Sequence, residues 1–111
     1  MAHHLGKHTQ GTANVATQTS ADIIATPGTL KRLHVCRGTV SINTVAASAI
    51  VSLDDGTTTI WAVAASDVSQ GISHHLDFGD EGYELGKNKA FCLTVAGGNA
   101  DAYATFTGYV R

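Results

Sequence analysis

Six histidines, nine carboxylates and two cysteines are the residues of this 111-residue chain that could do chemistry. A zinc site needs three or four such side chains converging on one ion. His4 and His8 have the spacing that would align two ligands on a helix, but neither they nor His3 lie in a stretch with helical periodicity. His74 and His75 are neighbours in an alternating run, so they point to opposite faces of a strand and do not share an ion. His75 and Asp77 share a face and supply half a site, with no third ligand evident. Asp54, Asp55, Asp77, Asp80, Glu81 and Glu84 lack the spacing of a calcium loop. Asp54-Asp55-Gly56 reads as a turn, and Asp80-Glu81 as part of a loop. No Gly-X-Ser-X-Gly elbow occurs, and Ser73 and His74 also point apart. The residues therefore predict no catalytic, metal or cofactor site, and a chain that is not an enzyme.

The aromatic residues point to contact rather than catalysis. Trp61 shares a strand face with Val63, as a core or inter-subunit residue would. Tyr103 and Tyr109 lie opposite the face of Phe106, and tyrosine is favoured at interfaces. With His75 on the outer face of its own strand, these make the candidate interface set: Trp61, Tyr103, Tyr109 and His75. Cys36 and Cys92 each fall opposite the apolar face of their run and are expected to be reduced thiols.

Period-2 alternation dominates the elements that hold these residues. Short strands are expected within residues 14–25, closed by the Pro27-Gly28 turn. Residues 30–40 form a strand with Leu33 and Val35 inward, Lys31 and Arg37 at the ends of that face, and a bulge or break at Gly38. Residues 45–53 and 57–63 flank Asp54-Asp55-Gly56 as a hairpin. Residues 66–69 allow a helical turn too short to pack. Ile72, His74, Leu76 and Phe78 share a face of the next strand, and Tyr83-Glu84-Leu85 is a short one. Residues 89–110 read as a terminal hairpin around Gly97-Gly98, with Phe91, Leu93 and Val95 on one apolar face and Ala102, Ala104, Phe106 and Val110 on another. Short strands with turn signals between them predict an all-β fold: a single β-sandwich or jelly-roll-like domain over residues 13–111, preceded by a flexible polar arm over residues 1–12.

Composition narrows the style of life. Charged residues make up 14% of the chain and the net charge is −2, which argues against nucleic-acid partners and against a polybasic membrane surface. No apolar run reaches the length of a membrane span, and the first residues lack the apolar core of a secretory signal. There are 16 Ala and 14 Thr against only 6% aromatic residues, so the domain buries little area of its own. Copies of itself or a larger surface would supplement that core. The expectation is a homo-oligomer.

Several signals also occur in a familiar order. Pro27-Gly28-Thr29-Leu30 leads into a strand with Gly38-Thr39, followed by Ser52-Leu53-Asp54-Asp55-Gly56-Thr57. Then come Leu76-Asp77-Phe78-Gly79, Gly82-Tyr83 and an alanine-rich strand ending Gly108-Tyr109-Val110. Over residues 26–111 this resembles the small β-sandwich virion proteins of tailed bacteriophages, which include capsid decoration (cement) proteins and related head or tail accessory subunits. The resemblance implies a jelly-roll-like subunit, often trimeric, that clips onto an assembled shell and stabilises it. Its partners would be its own copies and the major capsid protein or another virion protein, and its place the virion, assembled in the host cytoplasm. The family has no catalytic residues or cofactor to carry over. The alternatives are a tail or fibre accessory subunit, and a carbohydrate or host-surface binding module.

Overall fold

The computed structural model describes residues 7–111. The strands in chain order are β1 (Lys7–Val15), β2 (Ser20–Ile24), β3 (Leu33–Ala47), β4 (Ala49–Asp54), β5 (Thr59–Ala65), β6 (Ile72–Asp77), β7 (Tyr83–Glu84), β8 (Phe91–Ala96) and β9 (Asn99–Val110). A 3-10 turn, Asp67–Ser69, stands where the helical turn is expected. No helix among the described residues is long and apolar enough to cross a membrane.

Two antiparallel sheets face each other. The front sheet has the order β1-β9-β3-β6, with β7 pairing to the start of β3; the back sheet has the order β2-β8-β4-β5. Apart from β4–β5 and β6–β7, consecutive strands lie in different sheets, which is the winding of a jelly roll. The all-β sandwich expected from alternation is what forms. Val40, Ile42, Ala102, Ala104 and Phe106 of the front sheet meet Val51, Leu53, Phe91, Leu93 and Val95 of the back sheet, all almost fully buried. Phe91 and Phe106 touch edge to face across the gap, with ring centroids 5.1 Å apart and planes at 82°.

The hairpin expected at Asp54-Asp55-Gly56 is present, and its turn is closed by its own carboxylates. Asp54 Oδ1 accepts the Gly56 amide at 2.8 Å, and Asp55 Oδ1 accepts those of Thr57 and Thr58 at 2.9 and 2.6 Å. The terminal hairpin is not present. β8 belongs to the back sheet and β9 to the front sheet, so Gly97 and Gly98 turn an arch between layers. Each run carries one wholly apolar face, and the arch sets the two faces against each other instead of side by side.

Three further expectations change. The strand over residues 30–40 does not break at Gly38 but continues to Ala47, and Ser48 alone turns the chain into the back sheet. Register shifts fall at Cys36, Asn43 and Ala46 instead. Gly38 has another duty: a Cβ there would collide with the Thr105 carbonyl and the Phe106 ring, so its bare Cα makes room for that ring. The shift at Cys36 also turns Arg37 outward, where it meets Asp77 and Asp80 at 3.4 and 2.9 Å. Residues 7–12, read as flexible arm, are strand: β1 pairs with β9 from Lys7↔Val110 to Val15↔Ala102. Residues 1–6 of that arm lie outside the described residues. The inner face of β1 escapes a pattern search because Gly11 occupies it, pressed against the Ile23 carbonyl of β2.

Replacing Phe106 by Ala is expected to cost about 3–5 kcal/mol in urea denaturation. Gly38→Val should cost about 1–3 kcal/mol by overpacking, while exposed Tyr103→Ala should stay within about 0.5 kcal/mol.

Candidate functional site

The four residues expected at an interface separate onto three surfaces. Trp61 lies between the sheets. Its partner across β4 is Leu53, so it points inward, yet it remains half-buried. Val63 on the same face of β5 is also half-buried. Opposite them on β6, Ile72, His74 and Leu76 pair with Ile42, Val40 and Gly38 and point inward as well. Ile72 is 44% exposed, while its partner Ile42 is fully buried. The sandwich is therefore open along the side where β5 lies over β6. The Trp61 and His74 rings, 5.3 Å apart and tilted at 59°, span the opening. Both strands pair on one side only among the described residues, so each offers a row of free backbone groups.

His75 and Tyr103 belong to the outer face of the front sheet. That face is a ladder of polar rows: Gln10, Thr107, Arg37 and Asp77; Thr12, Thr105, Thr39 and His75; Asn14, Tyr103, Ser41 and Ser73. Neighbours in a row bind one another. Thr39 Oγ1 and His75 Nδ1 are 3.1 Å apart and the Ser41 and Ser73 hydroxyls 3.0 Å, while Asn14 reaches out of its row to donate to Asp101 Oδ1 at 2.8 Å. Tyr103 stands in this face 41% exposed. The Thr39–His75 contact is a hydroxyl–imidazole pair on an open, wet surface. No carboxylate among the described residues forms an ion pair with this ring.

Tyr109 departs from its expected place at an interface. It is 3% exposed although it points out of the front sheet. The loop between β6 and β7 folds over it, and its hydroxyl donates to the Glu81 carbonyl at 2.8 Å. Its ring stacks on His34 at 4.5 Å and 5°. Burial raises the Tyr109 phenol above its usual range. Strand alternation separates inner from outer faces, but it does not show that a loop covers part of an outer face.

The metal readings find no support in the geometry. No group of three or more His, Cys, Asp or Glu side chains gathers among the described residues. Asp77 is engaged by the Gly79 amide at 2.8 Å and by Arg37, which together hold its carboxyl below the usual range. Asp55 is likewise lowered, chiefly by the amide of Thr58.

One surface has no signature in the sequence pattern. A groove of about 670 Å³ opens between β1, β2 and the end of β9. Ile23, Ile24, Leu33 and Val110 line it, together with Lys7, His8, Lys31 and Arg111, and no Asp or Glu side chain does. Its basic residues are scattered along the chain, at positions 7, 8, 31 and 111, so no run of them announces the groove.

Cys36 and Cys92 are unpaired and buried in opposite sheets. Cys36 donates to the Asp80 carbonyl at 3.5 Å and Cys92 to Asp22 Oδ1 at 3.3 Å. Burial and then Asp22 push the Cys92 thiol up to about 12, and burial pushes Cys36 up as well. At pH 8 Cys92 carries about a thousandfold less thiolate than an ordinary cysteine. Both thiols should resist alkylation in the folded protein and react fully in urea. Because the folded values are raised, this contribution to stability is complete below pH 9.0 and declines as pH rises toward 12. The urea midpoint should fall over that window, and less so in Cys92→Ala.

No protein-family model and no curated protein sequence matches this chain. Among solved structures it is similar to a protein of Bacillus endospore appendages, which form a family of disulfide-linked pili. The two share 13% identity over 98% of this chain and 93% of that one, with a TM-score of 0.49.

Proposed function

We propose that this chain is a non-catalytic structural subunit of a tailed bacteriophage particle, a decoration protein that associates with its own copies and is seated on an assembled shell. The observation that carries this reading is the open side of the sandwich. Inward-facing Trp61, Val63 and Leu76 stay partly exposed and Ile72 is 44% exposed, beside two strands with unpaired backbone edges. Exposed apolar surface next to free N–H and C=O groups is what a second protein chain covers. The thin Ala/Thr-rich core gives a physical reason for such covering. Three copies around an axis would repeat each shell contact three times, so weak contacts add up to firm seating.

The alternative sugar-binding reading draws on a different surface. Tyr103 stands exposed among the Asn14, Ser41 and Ser73 polar groups of a flat face, an aromatic platform with hydrogen-bonding neighbours. Binding on a glycan array that Tyr103→Ala abolishes would favour it.

For the structural reading, Ile72→Lys and Val63→Lys are each expected to convert an oligomer into a monomer in sedimentation velocity. Each should leave the far-ultraviolet circular dichroism unchanged and weaken attachment to purified particles. A wild-type chain that stays monomeric at high micromolar concentration and attaches to no particle would overturn the reading.

A further inference from the structure

We infer that copies of this chain associate head to tail, with the β6–β7 corner of one copy seated in the β1–β2 groove of the next. This rests on the self-association proposed above and names the two surfaces that meet.

Charge is sorted across the molecule. The groove carries Lys7, Lys31 and Arg111 with His8 and no Asp or Glu side chain, and none of the ion pairs among the described residues uses the side chains of Lys7, Lys31 or Arg111. The corner at residues 77–84 has the opposite character. It holds Asp77, Asp80, Glu81 and Glu84; Arg37 pairs with the first two, His34 lies 3.5 Å from Glu84, and the Arg32 guanidinium donates to the neighbouring Leu85 carbonyl, so carboxylates still outnumber guanidinium groups four to two. Glu81 lends its carbonyl to Tyr109, and its exposed carboxylate enters no ion pair among the described residues.

Apolar surface is sorted the same way. Phe78 and Tyr83 pair at the corner with ring centroids 6.0 Å apart, and Tyr83 is 42% exposed. Two aromatic rings flanked by carboxylates match a groove walled by Ile24, Pro27 and Val110 and flanked by cations. Charges at the rim of such a contact select the partner and its orientation, while the apolar centre supplies most of the affinity.

The placement of the two surfaces supports the match. They lie at the same end of the front sheet on its opposite edges. One row across the sheet runs His8, Tyr109, His34, Glu84, from the groove side to the corner. Stepping sideways across the strands brings one copy's corner to the next copy's groove. The corner is also continuous with the open β5–β6 side through Phe78 and Leu76, so both apolar features enter one junction. Such a contact is heterologous, and it closes into a ring or extends into a filament according to the rotation per step.

The test uses the full chain and two charge-swapped forms. Lys7→Glu with Lys31→Glu makes the groove acidic. Glu81→Lys with Glu84→Lys makes the corner basic. Each form alone is expected to self-associate at least tenfold more weakly than the wild type, about 1.4 kcal/mol per tenfold. Mixed in equal amounts they should assemble again, because each acidic groove then meets a basic corner and each basic groove an acidic one. Recovery on mixing also shows that both forms are folded. Wild-type association should weaken with added salt. Association of either form at wild-type strength, or no recovery on mixing, would overturn the head-to-tail contact. If Ile72→Lys still dissociated the protein, that result would leave the wider structural reading standing. A wild-type chain that never associates would overturn both.

Discussion

Phe106 stands edge-on to Phe91 in the middle of the sandwich, and its other side rests on the bare backbone of Gly38. With only 6% aromatic residues and alanines at Ala100, Ala102 and Ala104 on the inner face of β9, these two rings fill more of the gap than any other pair of side chains. They join the central strands of opposite sheets and set the distance between the layers there. The depth of the interior at its centre, and its shallowness toward the sides, both follow from that contact.

Away from the rings the inner face thins. On the β1–β2 side the chain answers with close backbone approach, Gly11 lying against the Ile23 carbonyl. On the β5–β6 side nothing as close occurs, and Trp61 and His74 reach across a gap that stays open to water. Edge strands with a half-wet apolar lining are costly for a lone subunit and useful for one that is covered in an assembly. In this chain the open side of the sandwich is a consequence of where its bulky side chains run out.

Electrostatics then separates one side of the molecule from the other. Asp77 and Asp80 pair with Arg37 beside the loop over Tyr109, with Glu81 and Glu84 near by, while Lys7, Lys31 and Arg111 line the groove without an Asp or Glu side chain. The net charge of −2 conceals this division. The cationic groove has an apolar wall formed by Ile23, Ile24, Leu33 and Val110.

The sequence by itself determined the strand class, most inner faces and the Asp54-Asp55-Gly56 turn, because each depends on alternation or on residues a few positions apart. It carried the exposed placement of Tyr103 and His75 for the same reason. What only the tertiary structure decided is where each strand goes next. Gly97-Gly98 suits a hairpin and an arch equally well, and only the burial of two apolar faces against each other selects the arch. That choice puts β5 and β6 at one side of the sandwich, leaves Trp61 half-buried and brings Lys7 beside Arg111 across 104 positions of chain. Tyr109 shows the same limit: its alternation marks it as outward, and a loop distant in sequence buries it. Which residues lie at an open edge, in a groove or under a loop is a property of layers packing together, and no local pattern encodes it.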